Sequence, residues 1–144
     1  MTFDDRLNNT WWTLRLALGV APILAGLDKF LNLLTNWEAY LHPAIPQIAN
    51  IPAATFMQVV GVIEIVAGVV VLSSFTRLGA YIVMAWLIGI SLSLIGQGRY
   101  FDIAVRDLLL AVAAYSLARL TEARESVRAD APQESVASAM PRAS

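Results

Sequence analysis

Charged side chains inside apolar stretches are the feature of this sequence with the clearest chemical meaning. Each lies in a run of apolar residues long enough to cross a bilayer. They are three basic and three acidic residues: Arg15, Lys29, Arg106, Asp28, Glu64 and Asp107. Because a charge is costly in hydrocarbon, such residues face the protein interior and pair with one another. The sequence therefore predicts a balanced charged network inside a membrane protein.

Position along each stretch predicts which charges meet. Asp28 and Lys29 end the first stretch while Arg106 and Asp107 begin the last, so all four are expected in the outer half of the membrane. Glu64 lies nearer the middle, within reach of either basic residue of the first stretch. One interpretation is a polar pocket, walled by the first, second and fourth helices, for a quinone headgroup, a small anion or a proton. The other is structural, with the charges only fixing the helices in register.

Composition and apolar length predict the elements that would position these charges. Hydrophobic residues make up 58% of the chain, charged residues only 15%, and the mean hydropathy is +0.62. Soluble domains average about 45–50% apolar and about 25% charged residues. We therefore expect an all-α polytopic membrane protein, with a bundle of four transmembrane helices in residues 1–120. The predicted spans are 11–34, 53–75, 78–95 and 100–120, and residues 121–144 are expected to be a disordered tail.

The distribution of basic residues predicts the orientation. One side of the predicted bundle, shared by both termini, carries most of them: Arg6, Arg77, Arg119, Arg124 and Arg128. The opposite side has only Arg99 in a connection, so the positive-inside rule places both termini and the tail in the cytoplasm. The connection between the first two spans then faces outward. Its Trp37 and Tyr40 are expected to anchor that segment at the membrane surface.

Glycine spacing predicts how the helices pack. Three pairs of glycines are seven residues apart: Gly19 and Gly26, Gly61 and Gly68, and Gly89 and Gly96. Small residues at this spacing allow close packing of transmembrane helices, although glycine is also common in such helices generally.

Several kinds of chemistry are excluded by composition. The chain has no cysteine, which excludes iron–sulfur ligation, c-type haem attachment and thiolate nucleophiles. Its one histidine, His42, cannot supply a bis-histidine haem or a multi-histidine zinc site. A net charge of −1 without a dense basic patch argues against a nucleic-acid partner. No hydrolase triad or phosphate loop is present, so no catalytic residue and no metal ligand is assigned.

The charged and glycine positions resemble those of the DoxX family of small four-helix membrane proteins. The similarity extends over residues 14–120 and lies in two short motifs: Arg15-X-X-X-Gly19…Gly26-X-X-Lys29-Phe30, and Gly61-X-X-Glu64-X-X-X-Gly68. The resemblance implies a four-helix bundle in a bacterial inner membrane. Some relatives are associated with thiosulfate:quinone oxidoreductase as its small membrane subunit, others with redox-stress assemblies, and many have no known activity. Arg15, Lys29 and Glu64 correspond to the family's polar positions.

These observations together predict a small integral membrane subunit of a quinone-linked redox system. Its six charged residues would bind a quinone headgroup, with Lys29 or Arg106 donating hydrogen bonds to the carbonyl oxygens and Glu64 relaying protons. Its expected partners are the lipid bilayer and a membrane or peripheral redox protein that supplies the electron carrier. Two alternatives are a small proton-coupled transporter, acting as a homo-oligomer because four helices enclose little space, and a scaffold without chemistry.

Overall fold

A computed structural model describes residues 3–130, and the regular elements in this part of the chain are all helices. The four long ones are α1 (Phe3–Leu31), α3 (Ala53–Leu72), α4 (Thr76–Gly96) and α5 (Phe101–Asp130). The connection between α1 and α3 contains a 3₁₀ helix (Trp37–Tyr40) and the short helix α2 (Ala44–Ala49). Pro43 precedes α2, Pro46 lies within it and Pro52 precedes α3. These prolines keep the connection from joining the long helices into one. The prediction of an all-α protein is confirmed.

Each long helix runs antiparallel to the one before it. At one end of the molecule, the Trp11 indole of α1 donates a hydrogen bond to the Thr121 hydroxyl of α5 at 2.8 Å. At the same end, Arg77 of α4 pairs with Glu125 of α5 at 3.0 Å. We call this the terminus end, because it holds the start of α1, the α3–α4 turn and the last part of α5. The opposite loop end holds the 3₁₀ helix, α2 and the α4–α5 turn.

Glycines bring α1 and α3 into backbone contact, as their spacing predicts. A Cβ atom on Gly26 would collide with the carbonyl oxygen of Gly61, and one on Gly68 would collide with that of Gly19. No larger residue fits these positions without moving one helix away from the other. The two glycine pairs therefore set the separation of α1 and α3 along most of their shared length.

The same prediction is wrong for the third glycine pair. A Cβ atom on Gly89 or Gly96 would meet no atom within 4 Å, because both glycines lie on the outer surface of α4. Sequence spacing alone does not distinguish a glycine that packs from a glycine that faces outward.

The interior is made largely of small residues, and large apolar residues cover the outside. The buried alanines are Ala67, Ala80, Ala104, Ala111, Ala114 and Ala118. Large side chains such as Leu24, Leu109 and Val112 are more than half exposed. An exposed apolar surface of this extent suits contact with lipid. Two helices of the described chain, α3 and α4, are long and apolar enough to cross a membrane by length and composition.

The helix boundaries differ from the predicted spans mainly at the terminus end. α1 begins at Phe3 and α5 continues to Asp130, whereas the predicted spans began at residue 11 and ended at residue 120. Residues 121–130, expected in the disordered tail, are therefore helical. The cause is tertiary contact, since Thr121 and Arg124 bind side chains of α1 and Glu125 binds one of α4. Residues 131–144 of the predicted tail lie outside the described residues.

Replacing Gly26 with alanine tests the close packing of α1 and α3. The added methyl group must push against the Gly61 backbone, so we expect the free energy of unfolding to fall by about 1–3 kcal/mol. Gly89→Ala is the matched control, because its methyl group enters open space and also raises helix propensity. Thermal unfolding of both variants in the same detergent measures the difference. Equal stability of Gly26→Ala and Gly89→Ala would contradict the packing.

Candidate functional site

A buried ion pair lies where α1 and α3 are closest. Lys29 Nζ is 2.5 Å from Glu64 Oε2, and the two side chains are only 4% and 9% exposed. Lys29 follows Gly26 by three residues and Glu64 follows Gly61 by three, so each charge shares a helix face with a contact glycine. The glycine contact thus brings the two charges together.

Two indoles complete the surroundings of this ion pair. The ring of Trp37 lies over Lys29 Nζ, 3.7 Å from the ring centroid, and Trp86 Nε1 donates to Glu64 Oε1 at 3.4 Å. A cation–π contact of this kind contributes about 2 kcal/mol when it is desolvated. Trp37 therefore belongs to the site, whereas its sequence context predicted a membrane-surface anchor. Trp86 was not predicted at all, because an indole in an apolar helix gives no sign of facing inward.

Asp28 has a structural role beside the ion pair. Its carboxylate accepts hydrogen bonds from the backbone N–H groups of Leu33 (2.9 Å) and Leu34 (3.0 Å) and from Trp37 Nε1 (2.8 Å). Asp28 thus secures the chain where it leaves α1 and fixes the indole that covers Lys29. It does not line the cavity described below.

Arg106 and Asp107 lie across from the Lys29–Glu64 pair and bind each other. Arg106 donates from Nε (3.1 Å) and Nη2 (3.0 Å) to Asp107 Oδ1. Asp107 is buried, whereas the Arg106 side chain is 64% exposed. Arg106 therefore keeps N–H groups that are free to bind a ligand.

Arg15 lies far from these groups, which corrects its place in the predicted network. It is 14 residues before Lys29, or about 21 Å along a helix, and lies at the terminus end. There it donates hydrogen bonds to the carbonyl oxygens of Val71 (3.2 Å), Leu72 (2.5 Å) and Ser73 (2.9 Å), where α3 ends. Without Arg15, the loop-end charges are two basic and three acidic residues, so the network is not balanced as predicted.

A cavity of about 430 Å³ joins these groups, within the size range of ligand-binding pockets. Its polar end is formed by six side chains: Lys29, Trp37, Glu64, Trp86, Arg106 and Asp107. The rest of its wall is apolar and includes Leu18, Val83 and Leu87. The predicted pocket had walls from three helices, but α4 contributes as well, through Val83, Trp86 and Leu87. The cavity is thus amphipathic, with hydrogen-bonding groups at one end and an apolar lining along the rest.

Metal ligands do not gather in the described part of the chain. No three His, Cys, Asp or Glu side chains in residues 3–130 are placed to hold an ion together. His42 has a local partner, since its Nδ1 accepts a hydrogen bond from the Ala44 N–H at 3.2 Å, next to the start of α2.

Comparison with known proteins gives one match. The model of the DoxX family matches residues 10–95, which is more than half of the chain. The matched segment includes most of α1, all of α3 and nearly all of α4, and with them Lys29 and Glu64. No curated protein and no solved structure matches this chain.

The stability of the Lys29–Glu64 pair can be measured with a double-mutant cycle. Lys29→Met or Glu64→Met alone leaves a buried charge without its partner and should cost about 3–5 kcal/mol of unfolding free energy. The double variant should cost much less than the sum of the two. The matched control is Arg77→Ala with Glu125→Ala, an exposed pair whose coupling should be about 0–1 kcal/mol. Reversible unfolding in mixed micelles gives both coupling energies, and equal values would contradict a buried pair that depends on both charges.

Proposed function

The chain belongs to the DoxX family, and we propose that it is the membrane subunit of a quinone-linked redox system. In this proposal it crosses a bacterial inner membrane four times and holds a quinone headgroup in the amphipathic cavity. The observation that carries the proposal is the division of that cavity into a polar end and an apolar remainder. A quinone has the same division, with two carbonyl oxygens on its ring and an apolar tail.

The dimensions of the helices support four crossings. α1 has 29 residues and α5 has 30, so each is about 43–45 Å long, more than the ~30 Å hydrocarbon core. α1 runs alongside α3, and α5 runs alongside α4. Both α3 and α4 are apolar enough to span a membrane. The charged residues of α1 and α5 at the loop end are Asp28, Lys29 and Asp107, all buried, and Asp102 and Arg106, both exposed. Basic residues at the terminus end favour a cytoplasmic location of both termini.

The loop-end groups can supply what quinone chemistry requires of a protein. Reduction of a quinone consumes two electrons and two protons. Lys29 and Arg106 carry N–H donors at the polar end of the cavity, where they can bind the ring carbonyl oxygens. Glu64, which already binds Lys29 and Trp86, can accept and release a proton. The electrons would come from a redox partner protein, since this chain has no cysteine and one histidine.

A scaffold without chemistry is the second candidate, and one observation favours it. Every buried polar side-chain atom in residues 3–130 has a hydrogen-bond partner. The buried charged groups are therefore satisfied without a ligand, and in this candidate they serve only to fix the register of the helices. Ligand binding, rather than stability, separates this candidate from the first.

Reporter fusions test the predicted orientation. A fluorescent protein fused after residue 144 should be fluorescent, because it folds in the cytoplasm, and alkaline phosphatase at the same place should be inactive. Alkaline phosphatase inserted in α2 should be active, because the loop end faces outward. An active phosphatase fused after residue 144 would contradict the orientation.

Quinone retention tests the cavity. Protein purified in mild detergent should carry extractable quinone, and Lys29→Ala and Arg106→Gln should each lower the amount about tenfold, since a hydrogen bond from a charged donor contributes about 1.5–3 kcal/mol. Arg99→Gln is the matched control, because Arg99 is a loop-end arginine that stacks on Tyr100, 5.3 Å from the ring centroid, and does not line the cavity. Arg106→Gln leaves the Lys29–Glu64 pair in place but removes the counter-charge of buried Asp107. Its thermal unfolding is therefore measured beside its quinone content, which separates binding from folding. Two results together would contradict the quinone function and favour the scaffold: the wild-type protein carries no quinone, and the variants do not change coupled quinone reduction.

A further inference from the structure

Three arginines gather around a cavity of about 300 Å³ at the terminus end. Arg15 comes from α1, and Arg124 and Arg128 come from the last part of α5. The α3–α4 turn closes the cavity with Ser74 and Thr76. We call it the arginine pocket.

Aromatic rings rather than carboxylates hold two of these arginines. The guanidinium of Arg15 lies 5.0 Å from the ring centroid of Trp11 and 4.9 Å from that of Trp12, and that of Arg124 lies 4.1 Å from Trp11. Arg124 also donates a hydrogen bond to the side-chain oxygen of Asn8. A ring leaves the positive charge in place, whereas a carboxylate would cancel it.

The pocket consequently carries excess positive charge. Its one carboxylate, Glu125, is bound by Arg77 at 3.0 Å. None of the ion pairs found within residues 3–130 involves Arg15, Arg124 or Arg128. Burial lowers the pKa of Arg124, and the charges of Arg128 and then Arg15 lower it further. Three guanidinium groups that lie close together and form no ion pair with the described acidic residues are suited to binding an anion.

An apolar groove of about 350 Å³ adjoins the arginine pocket. It runs between α1 and α5 and shares Trp11, Arg124 and Arg128 with the pocket. Leu7, Leu120, Ala123 and Val127 supply its apolar wall, and Asp4 lines the groove but not the pocket. The groove leads away from the bilayer, because Leu7 precedes Arg15 by eight residues, or about 12 Å along α1. The pocket, and not the groove, is therefore the part that can face a lipid phosphate.

The level of the arginine pocket relative to the membrane suits a lipid phosphate. α3 ends at Leu72 and α4 begins at Thr76, so the pocket lies where these two helices leave the bilayer. Lipid phosphates and interfacial Trp side chains occupy this level. We propose that the arginine pocket binds the phosphate of an anionic membrane lipid. The proposal rests on the membrane placement of the helices and is independent of quinone binding.

Lipid binding to the purified full chain tests this proposal. Native mass spectrometry with phosphatidylglycerol or phosphatidylcholine should show preferential retention of phosphatidylglycerol. Arg124→Gln with Arg128→Gln should lower that affinity about tenfold, and Arg128→Gln alone should lower it by less. Arg128 is exposed, so its single variant keeps the test valid if the double variant does not fold. Arg99→Gln at the loop end is the matched control and should bind as the wild type does.

Each result supports or overturns the lipid site. Preference for phosphatidylglycerol that is lost in the pocket variants and kept in Arg99→Gln supports it. Equal retention of both lipids by the wild type, or unchanged preference in both pocket variants, overturns it. Displacement of phosphatidylglycerol by inorganic phosphate at equal concentration also overturns it, because the pocket would then bind free phosphate as well as it binds a lipid. Quinone content measured on the same samples reports on the redox proposal separately.

Discussion

The ion pair between Lys29 and Glu64 is the constraint on which the rest of the structure depends. Two opposite charges this deeply buried are stable only in direct contact, because neither has water to replace its partner. Contact requires the backbones of α1 and α3 to approach closely, and Gly26 and Gly61 allow that approach. The glycines and the charges are therefore two parts of one requirement, and changing either disturbs the other.

The loop end is organised outward from this pair. Trp37 covers Lys29, and Asp28 holds Trp37 while securing the chain after α1, so the 3₁₀ helix is tied to the buried charge. On the other side, Trp86 ties α4 to Glu64. The cavity lies between these groups and the Arg106–Asp107 pair. A ligand there meets charges that already satisfy one another, except for the exposed guanidinium of Arg106.

The sequence predicted the long helices and the charged residues, but it did not predict every residue that packs against them. Apolar length and glycine spacing depend on local pattern, which is why close helix packing was predicted from Gly19, Gly26, Gly61 and Gly68, although the pairing of α1 with α3 was not. The inward direction of Trp86 and the outward direction of Gly89 depend on how α4 is rotated in the assembled fold. The continuation of α5 to Asp130 depends likewise on contacts with α1. Such facts arise from tertiary packing, which no single stretch of sequence encodes.

The two ends of the molecule stabilise their buried and half-buried cations in opposite ways. At the loop end, Lys29 is surrounded by protein and must find its counter-charge there, which fixes its partner as Glu64. At the terminus end, Arg15 and Arg124 rest against tryptophan rings and helix-end oxygens, which stabilise a cation without neutralising it. A cation stabilised in this way keeps its positive charge, which can then attract an external anion. The same residues therefore carry two of our proposals, the cytoplasmic orientation of both termini and the binding of a lipid phosphate.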